Sequence, residues 1–407
     1  YEIRLSLVGS EMCIRDRTPP LVDRVLKNSE EYKVPNSTAE QLWKFMETDL
    51  TEAITSGKLT SKTSLEDRDG GTRATLEAAR CLLGKIYLYQ EKYADAKSEL
   101  EKVISSGKYD LIADVSTFYH PASAGCKEYV LECVRHYDPS NMYSQEGWFG
   151  ILANWGFGYG FIAGPEASMH YKFNTTSGYS YFNPSKSLYD AFVAEEGADG
   201  YRLNAWIRTW EQVIAMNIAV NTTTNKYASE GYFRLKWLAS TDDEFVGYWC
   251  GNQSNTPVIR YADVLLMAAE ACLQAGDQAG ADEYLGRVRD RARLPRKSHV
   301  TLSDIKLERR LELAMEGMRF QDLKRWGDAP AVLADKGKKL PTFQIVPDPN
   351  NDLTTAAGIY NARYTTKTTY VDNEKSLAGW TPNRDEWLPF PENELEVNSN
   401  LKQNPGY

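Results

Sequence analysis

Trp148, Asn154, Trp155 and Tyr159 stand in the glycine-rich run GWFGILANWGFGYGF, and Trp249 and Asn252 stand in YWCGNQ. Flat rings beside amides on flexible backbone suit one chemistry well. A sugar presents an apolar C–H face that stacks on a ring, and its hydroxyls are answered by neighbouring amides. These six residues are the candidate ligand contacts, and a glycan is the ligand they imply. Trp206, Trp210 and Trp237 occupy nearby segments, with Asn204 and Arg208 close to the first two. A chain of this size buries most of its tryptophans, so half or more of all these rings belong to the core.

Catalysis is the competing chemistry. Glu166, Asp190, Glu195 and Glu196 are acids from which a glycosidase pair could be drawn, but sequence spacing does not measure the separation that such a pair needs. The chain has no GxSxG elbow, no Gly-rich phosphate loop and no dinucleotide fingerprint. The most charged motif, ERRLELAMEGMRFQDLKRWG, reads as structural. Glu312 with Glu316 and Arg319, and Asp322 with Arg319 and Arg325, are spaced to pair along one helix, while Leu311, Met315, Phe320 and Leu323 form its apolar face. Gly317 would then permit a close helix crossing. The four histidines form no metal-ligand spacing, and a DxDxDG loop is absent, so neither a metal nor a cofactor is expected. Among six cysteines, Cys81 and Cys272 sit in apolar helical patterns, and Cys126 and Cys133 are spaced so that an oxidising compartment would let them pair.

Several elements must position these residues. From Ser37 to Ser56, Leu42, Phe45, Met46, Leu50 and Ile54 recur every three or four residues and predict a helix. Leu83, Gly84, Tyr87, Ala96, Leu100 and Val103 fall at tetratricopeptide spacing. The small residues let two antiparallel helices approach, and Tyr87 and Leu100 fill the seam. A second copy follows 185 residues later, with Ala269, Cys272, Ala281, Leu285 and Val288 in the places of Gly84, Tyr87, Ala96, Leu100 and Val103. Two copies are fewer than a free solenoid needs, so other helices must cover them. Between the copies, residues 112–255 read as loops and short strands. Leu302 to Trp326 reads as one long amphipathic helix, and the Pro- and Asn-rich tail from Pro341 reads as irregular chain laid over the helices. The fold class is mainly α: a tetratricopeptide-like repeat scaffold, a loop-rich ligand-binding region and a long irregular C-terminal tail.

Composition narrows the function further. The 407 residues carry 47 Lys and Arg against 56 Asp and Glu, a net charge of −9 without a dense basic run, so nucleic acid is not an expected partner. No apolar run reaches the roughly 20 residues of a spanning helix. The opening YEIRLSLVGSEMCIRDR lacks the pattern of a signal peptide and resembles a translated sequencing adaptor, so residues 1–17 are read as a non-native artefact.

Five segments resemble the SusD/RagB family of Bacteroidetes outer-membrane lipoproteins. They are the first repeat around Leu83 to Leu100, SYFNPSKSLYDAFVAEEGADGYR, VIRYADVLLMAAEA with VRDRARLP, ERRLELAMEGMRFQDLKRWG, and the closing LPFPENELEVNSNLKQNPGY. The resemblance implies one domain over 18–407, with an N-terminal SusD-like part (18–230) and a C-terminal SusD/RagB part (231–407). It also implies a non-catalytic glycan-binding lipoprotein on the cell surface, held to the outer membrane by an N-terminal lipid anchor that is missing from this chain. Its implied partner is a SusC-like TonB-dependent transporter, to which it delivers nutrients. The rivals are peptide capture within the same family, a glycoside hydrolase, and a tetratricopeptide adaptor for cytoplasmic partners.

Overall fold

The computed structural model describes residues 18–71, 73–134, 183–209, 211–212, 226–227, 230–236, 255–347, 364–373 and 378–407. Helix α1 (Ala39–Thr55) opens on a capping box in which the Thr38 hydroxyl accepts from the Gln41 N–H and the Gln41 side chain answers the Thr38 N–H. Its buried face, Leu42, Met46 and Leu50, packs on α2 (Leu76–Tyr89), which pairs with α3 (Tyr93–Ser105). A Cβ on Gly84 would stand 2.8 Å from Leu100 Cγ, so the close approach expected at that position is present.

After β1 (Tyr129–Cys133) come α4 (Lys186–Glu196), α5 (Tyr201–Trp206) and three short strands, β2 (Ile207–Thr209), β3 (Lys226–Tyr227) and β4 (Tyr232–Arg234). Strand β5 (Thr256–Arg260) runs directly into the second hairpin, α6 (Tyr261–Gln274) and α7 (Gln278–Arg291). Both repeats are thus helical hairpins, and Tyr261 begins its helix 185 residues after Leu76 begins α2. Helix α6 is buried from Tyr261 to Cys272 and forms the axis of the molecule, packing against α3, α7 and α8 (Leu302–Glu312). A helix apolar nearly all round must be covered on every side. Cys81 and Cys272 are core residues as expected, and Cys126 and Cys133 are both free thiols.

Four expectations are corrected. Leu302 to Trp326 is not one helix: α8 ends at Glu312, and α9 (Arg319–Arg325) starts after a turn in which Met315 and Gly317 have φ of +65° and +80°. Among the described residues nothing lies within 4 Å of a Cβ on Gly317, so that glycine serves the left-handed backbone and not a close crossing of the described helices. Phe320, assigned to the buried face, is 38% exposed. After α10 (Ala329–Val332), the tail also contains more order than its composition suggests. Strands β6 (Lys339–Pro347) and β7 (Tyr364–Asp372) pair in antiparallel register from Lys339↔Asp372 to Pro347↔Tyr364, and β3 joins the other edge of β6. Beyond them, α11 (Glu392–Val397) leads into an asparagine-rich close. Asn398 and Asn400 donate to the carbonyls of Val34 and Lys33, and Asn36 exchanges two hydrogen bonds with the Lys402 backbone.

Candidate functional site

All six candidate contacts, Trp148, Asn154, Trp155, Tyr159, Trp249 and Asn252, lie outside the described residues, as do Trp210, Trp237 and Glu166. The frame from which their segments depart is described. β1 and β5 pair antiparallel with Cys133 opposite Thr256. The chain therefore leaves toward Trp148 and returns from Asn252 at the same end of one ladder. Buried Glu132 fastens that end: its carboxylate accepts from the Gly125 N–H at 2.8 Å and from Asn255 Nδ2 at 3.0 Å, and burial raises its carboxyl above the usual value.

The other two ends are fastened as well. The segment holding Trp249 begins after Lys236, which is buried 3.8 Å above the Trp206 ring. Its ammonium donates to the carbonyls of Glu312 and Ala314 and to Glu316 Oε1 at 2.5 Å, answering oxygens freed where α8 stops. Burial lowers the Lys236 amine to about 8 against the pull of Glu316. The segment holding Trp155 rejoins the frame ahead of α4. There the Glu230 carboxylate accepts from the Lys186 N–H and the Tyr370 hydroxyl, both at 2.5 Å, and Tyr189 stacks on Tyr232 with ring centres 4.6 Å apart. Trp206 itself is core: it is fully buried and its indole donates to the Val115 carbonyl.

Beneath the frame lies a buried charge cluster, and here a further expectation is corrected. Glu312 and Glu316 do not pair along their own helix. Glu312 accepts from Arg202 at 3.0 Å, Arg260 at 3.1 Å and Arg291 at 2.5 Å, and Glu316 from Arg260 at 2.6 Å and Lys236. Burial alone would raise the Glu312 carboxyl, but Arg291, Arg260, Arg202 and Lys236 outweigh it and hold the group well below its usual range. Asp322 does pair with Arg325, and also with Arg309 from α8. Sequence reasoning missed Arg202, Arg260 and Arg291 because their partners lie 21 to 110 residues away.

Three of the four acids considered for hydrolysis lie among the described residues, and each has an ion-pair partner. Glu195 pairs with Arg289 and Lys297, Glu196 with Arg202, and Asp190 with Lys186. Glu101, Cys272 and Asp277 approach within 4.8 Å of one another, but Lys97 already stands 2.7 Å from Asp277, and burial pushes the Cys272 thiol up to about 12, which disfavours the thiolate a metal requires.

Comparison with known proteins decides the family. The model of the SusD family matches residues 127–407. The chain belongs to the SusD family. SusD-like protein P2 of Formosa agariphila is 26% identical over 81% of this chain and 59% of its own length, and a SusD-like protein of Bacteroides ovatus is 31% identical over 37% of this chain and 29% of its own. The chain thus spans well under two thirds of these relatives. Among solved structures, a laminarin binding SusD-like protein superposes with a TM-score of 0.76 at 26% identity, over 100% of this chain and 77% of that one. Surface glycan-binding protein A from Bacteroides thetaiotaomicron, in complex with laminarihexaose, superposes with a TM-score of 0.72 at 23% identity, over 98% of this chain and 76% of that one. SusD-like structures are helical scaffolds of tetratricopeptide type, and this SusD family chain shares that architecture.

Proposed function

We propose that this SusD family chain captures a glycan without hydrolysing it, at the outer face of the outer membrane, and passes it to a SusC-like TonB-dependent transporter. The observation that carries the reading is the likeness of the whole chain to a laminarin-binding relative. A laminarin-type glucan is accordingly the first ligand to test. The frame supports the same reading. Two aromatic- and amide-bearing segments join the described chain at one end of the β1–β5 ladder, and stacking rings with hydrogen-bonding amides are the chemistry a saccharide calls for. Trp155, Trp249, Trp148 and Tyr159 would supply the stacking faces, and Asn154 and Asn252 the amides. Calorimetric titration with laminarin oligosaccharides tests this, alongside Trp155→Ala and Trp249→Ala. Each variant is expected to weaken binding about tenfold or more, in line with loss of a buried stacking anchor. Unchanged affinity in both variants would overturn the site, and release of reducing sugar by the purified protein would overturn the non-catalytic reading.

A further inference from the structure

Backbone pairing alone does not hold β1 to β5 at the end where the two aromatic- and amide-bearing segments join. Glu132 stands opposite Pro257, which has no N–H to give, and the register shifts on both sides of Leu131. Side chains complete the fastening. The Glu132 carboxylate accepts from the Gly125 N–H at 2.8 Å and from Asn255 Nδ2 at 3.0 Å, so one buried group joins a loop, a strand and the residue ahead of β5. Gly125 is gripped from its other side as well. Lys62, itself buried, donates to the carbonyls of Gly125 at 3.3 Å and Cys126 at 3.5 Å. Arg68 Nη1 donates to the Ala122 carbonyl at 2.9 Å, and a Cβ on Gly125, where φ is +64°, would stand 2.6 Å from the Arg68 carbonyl oxygen.

The order of the chain gives this clamp its reach. Glu132 is followed directly by Cys133, opposite Thr256, and Asn252 precedes Asn255 by three residues, at most about 11 Å between Cα atoms. We infer that Glu132 is a positioning residue for ligand capture: through Gly125 and Asn255 it sets the ends of both ligand-bearing segments without touching the ligand. The inference rests on the capture reading, which supplies the ligand. A carboxylate suits the task because both partners donate and it accepts from both, whereas a neutral amide of the same shape must turn a donor toward one of them. The clamp is also titratable. Burial raises the Glu132 carboxyl above its usual value, against the Asn255 and Gly125 donors and the charges of Lys62 and Arg68. Burial lowers the Lys62 amine and pushes the Cys126 thiol up to about 11, and Asp67, which faces Lys62, is held down to about 2 by hydrogen bonds from Thr63 and Gly70.

Two readouts test the role. Hydrogen exchange, with no glycan present, is followed in the peptides covering 129–134 and 255–260 and in α6, for the wild type, Glu132→Gln and Asn255→Ala. Exchange at the ladder end should be about tenfold faster or more in both variants, with α6 unchanged. Affinity is then measured by calorimetric titration from pH 7 down to pH 4.5, the ordinary carboxyl value, with a laminarin oligosaccharide, a neutral ligand without a titrating group. The wild type is expected to bind about tenfold more weakly at the acid end, since protonation of Glu132 lowers the fraction of chains with both ends in place. Glu132→Gln should bind about tenfold more weakly at pH 7 and lose that acid fall. A glutamate that only stabilises the fold would lower the unfolding temperature of the variant and leave the pH profile of affinity as in the wild type, and that result overturns the inference. So does unchanged exchange at the ladder end in both variants. If Glu132→Gln does not fold, Asn255→Ala, which leaves Glu132 and Lys62 together, carries the exchange and affinity readouts. A wild type that binds no glucan contradicts the capture reading for that ligand, while exchange still decides whether Glu132 sets the two ends.

Discussion

The seam between α2 and α3 and the charge cluster at the junction where α8 ends both have deeply buried centres, and they are built from opposite chemistry. In the seam, Leu83, Ala96, Leu100 and Val103 form a hydrocarbon interior for which Gly84 supplies the room, and the Arg80–Glu99 ion pair that joins the two helices lies at its partly exposed margin. At the junction, Glu312, Arg202, Arg260 and Lys236 are as deeply buried as any leucine. Apolar packing is forgiving of detail, since the neighbours of a leucine are other hydrocarbons. A buried charge tolerates only its own partners in their own geometry, because each ion removed leaves another desolvated and unpaired. The scaffold is therefore held by dispersion and burial, whereas the turn that receives Lys236, and with it the start of the Trp249 segment, is held by electrostatics.

The strongest way to break this comparison is Glu312→Ala. It removes the carboxylate that Arg202, Arg260 and Arg291 share, leaves the buried cluster with an excess of positive charge although each arginine keeps another acid, and should cost about 3–5 kcal/mol in calorimetric or denaturant unfolding. The pH dependence has a definite sign. A carboxyl held below its ordinary value of 4.5 contributes stability that is fully present above that pH and is lost as pH falls below it toward the folded-state value. Glu128, Glu132 and Glu196 act oppositely, since burial raises them above their ordinary values despite nearby cations or hydrogen-bond donors. The useful quantity is thus the difference between wild type and Glu312→Gln, which retains the shape of the side chain. That gap should narrow progressively below pH 4.5, and a gap independent of pH would show that Glu312 acts by shape alone.

Smaller, and a sharper test of the seam, is the pair Leu100→Ala and Leu285→Ala. The two positions are equivalent in the two hairpins and both are completely buried. Each should lose about 2–5 kcal/mol, and neither loss should change between pH 4 and 7, since no titratable group is removed. A marked difference between the two would show that the hairpins are alike in sequence spacing but not in packing.

How much of this was legible in the residues follows from the same contrast. The hairpins were readable because their contacts repeat at helical spacing, and close neighbours in sequence define them. The junction was not readable. Local spacing suggested Glu312 with Glu316 and Arg319, whereas the observed partners are Arg202, Arg260 and Arg291, brought in from α5, β5 and α7. The helix break was concealed as well, because MEGM carries a single glycine and Met315 adopts a left-handed backbone that its residue type does not advertise. For the candidate site, Glu132, Asn255 and Lys236 gave no signal, since a lone Glu, Asn or Lys reads as surface until its burial is known.

The smallest expected effect tests whether ion pairs matter by number or by burial. Arg296 has ion pairs as short as those of Glu312, 2.6 Å to Asp290 and 2.6 Å to Glu283, and hydrogen bonds to these carboxylates raise its already high value. Its side chain is 45% exposed, however, and those of its partners are half exposed. Water already solvates these groups in the unfolded chain and in the folded one, so Arg296→Ala should cost only about 0–1 kcal/mol, part of it from the stem that lies 3.0 Å from a Cβ position on Gly286. Added salt should erase most of the electrostatic share of that loss while leaving the Glu312→Ala loss nearly unchanged, because mobile ions screen exposed pairs and not buried ones. If Arg296→Ala instead cost as much as Glu312→Ala, partner count and distance would suffice to explain the junction. The distinction between its desolvated charges and ordinary surface pairs would then fail.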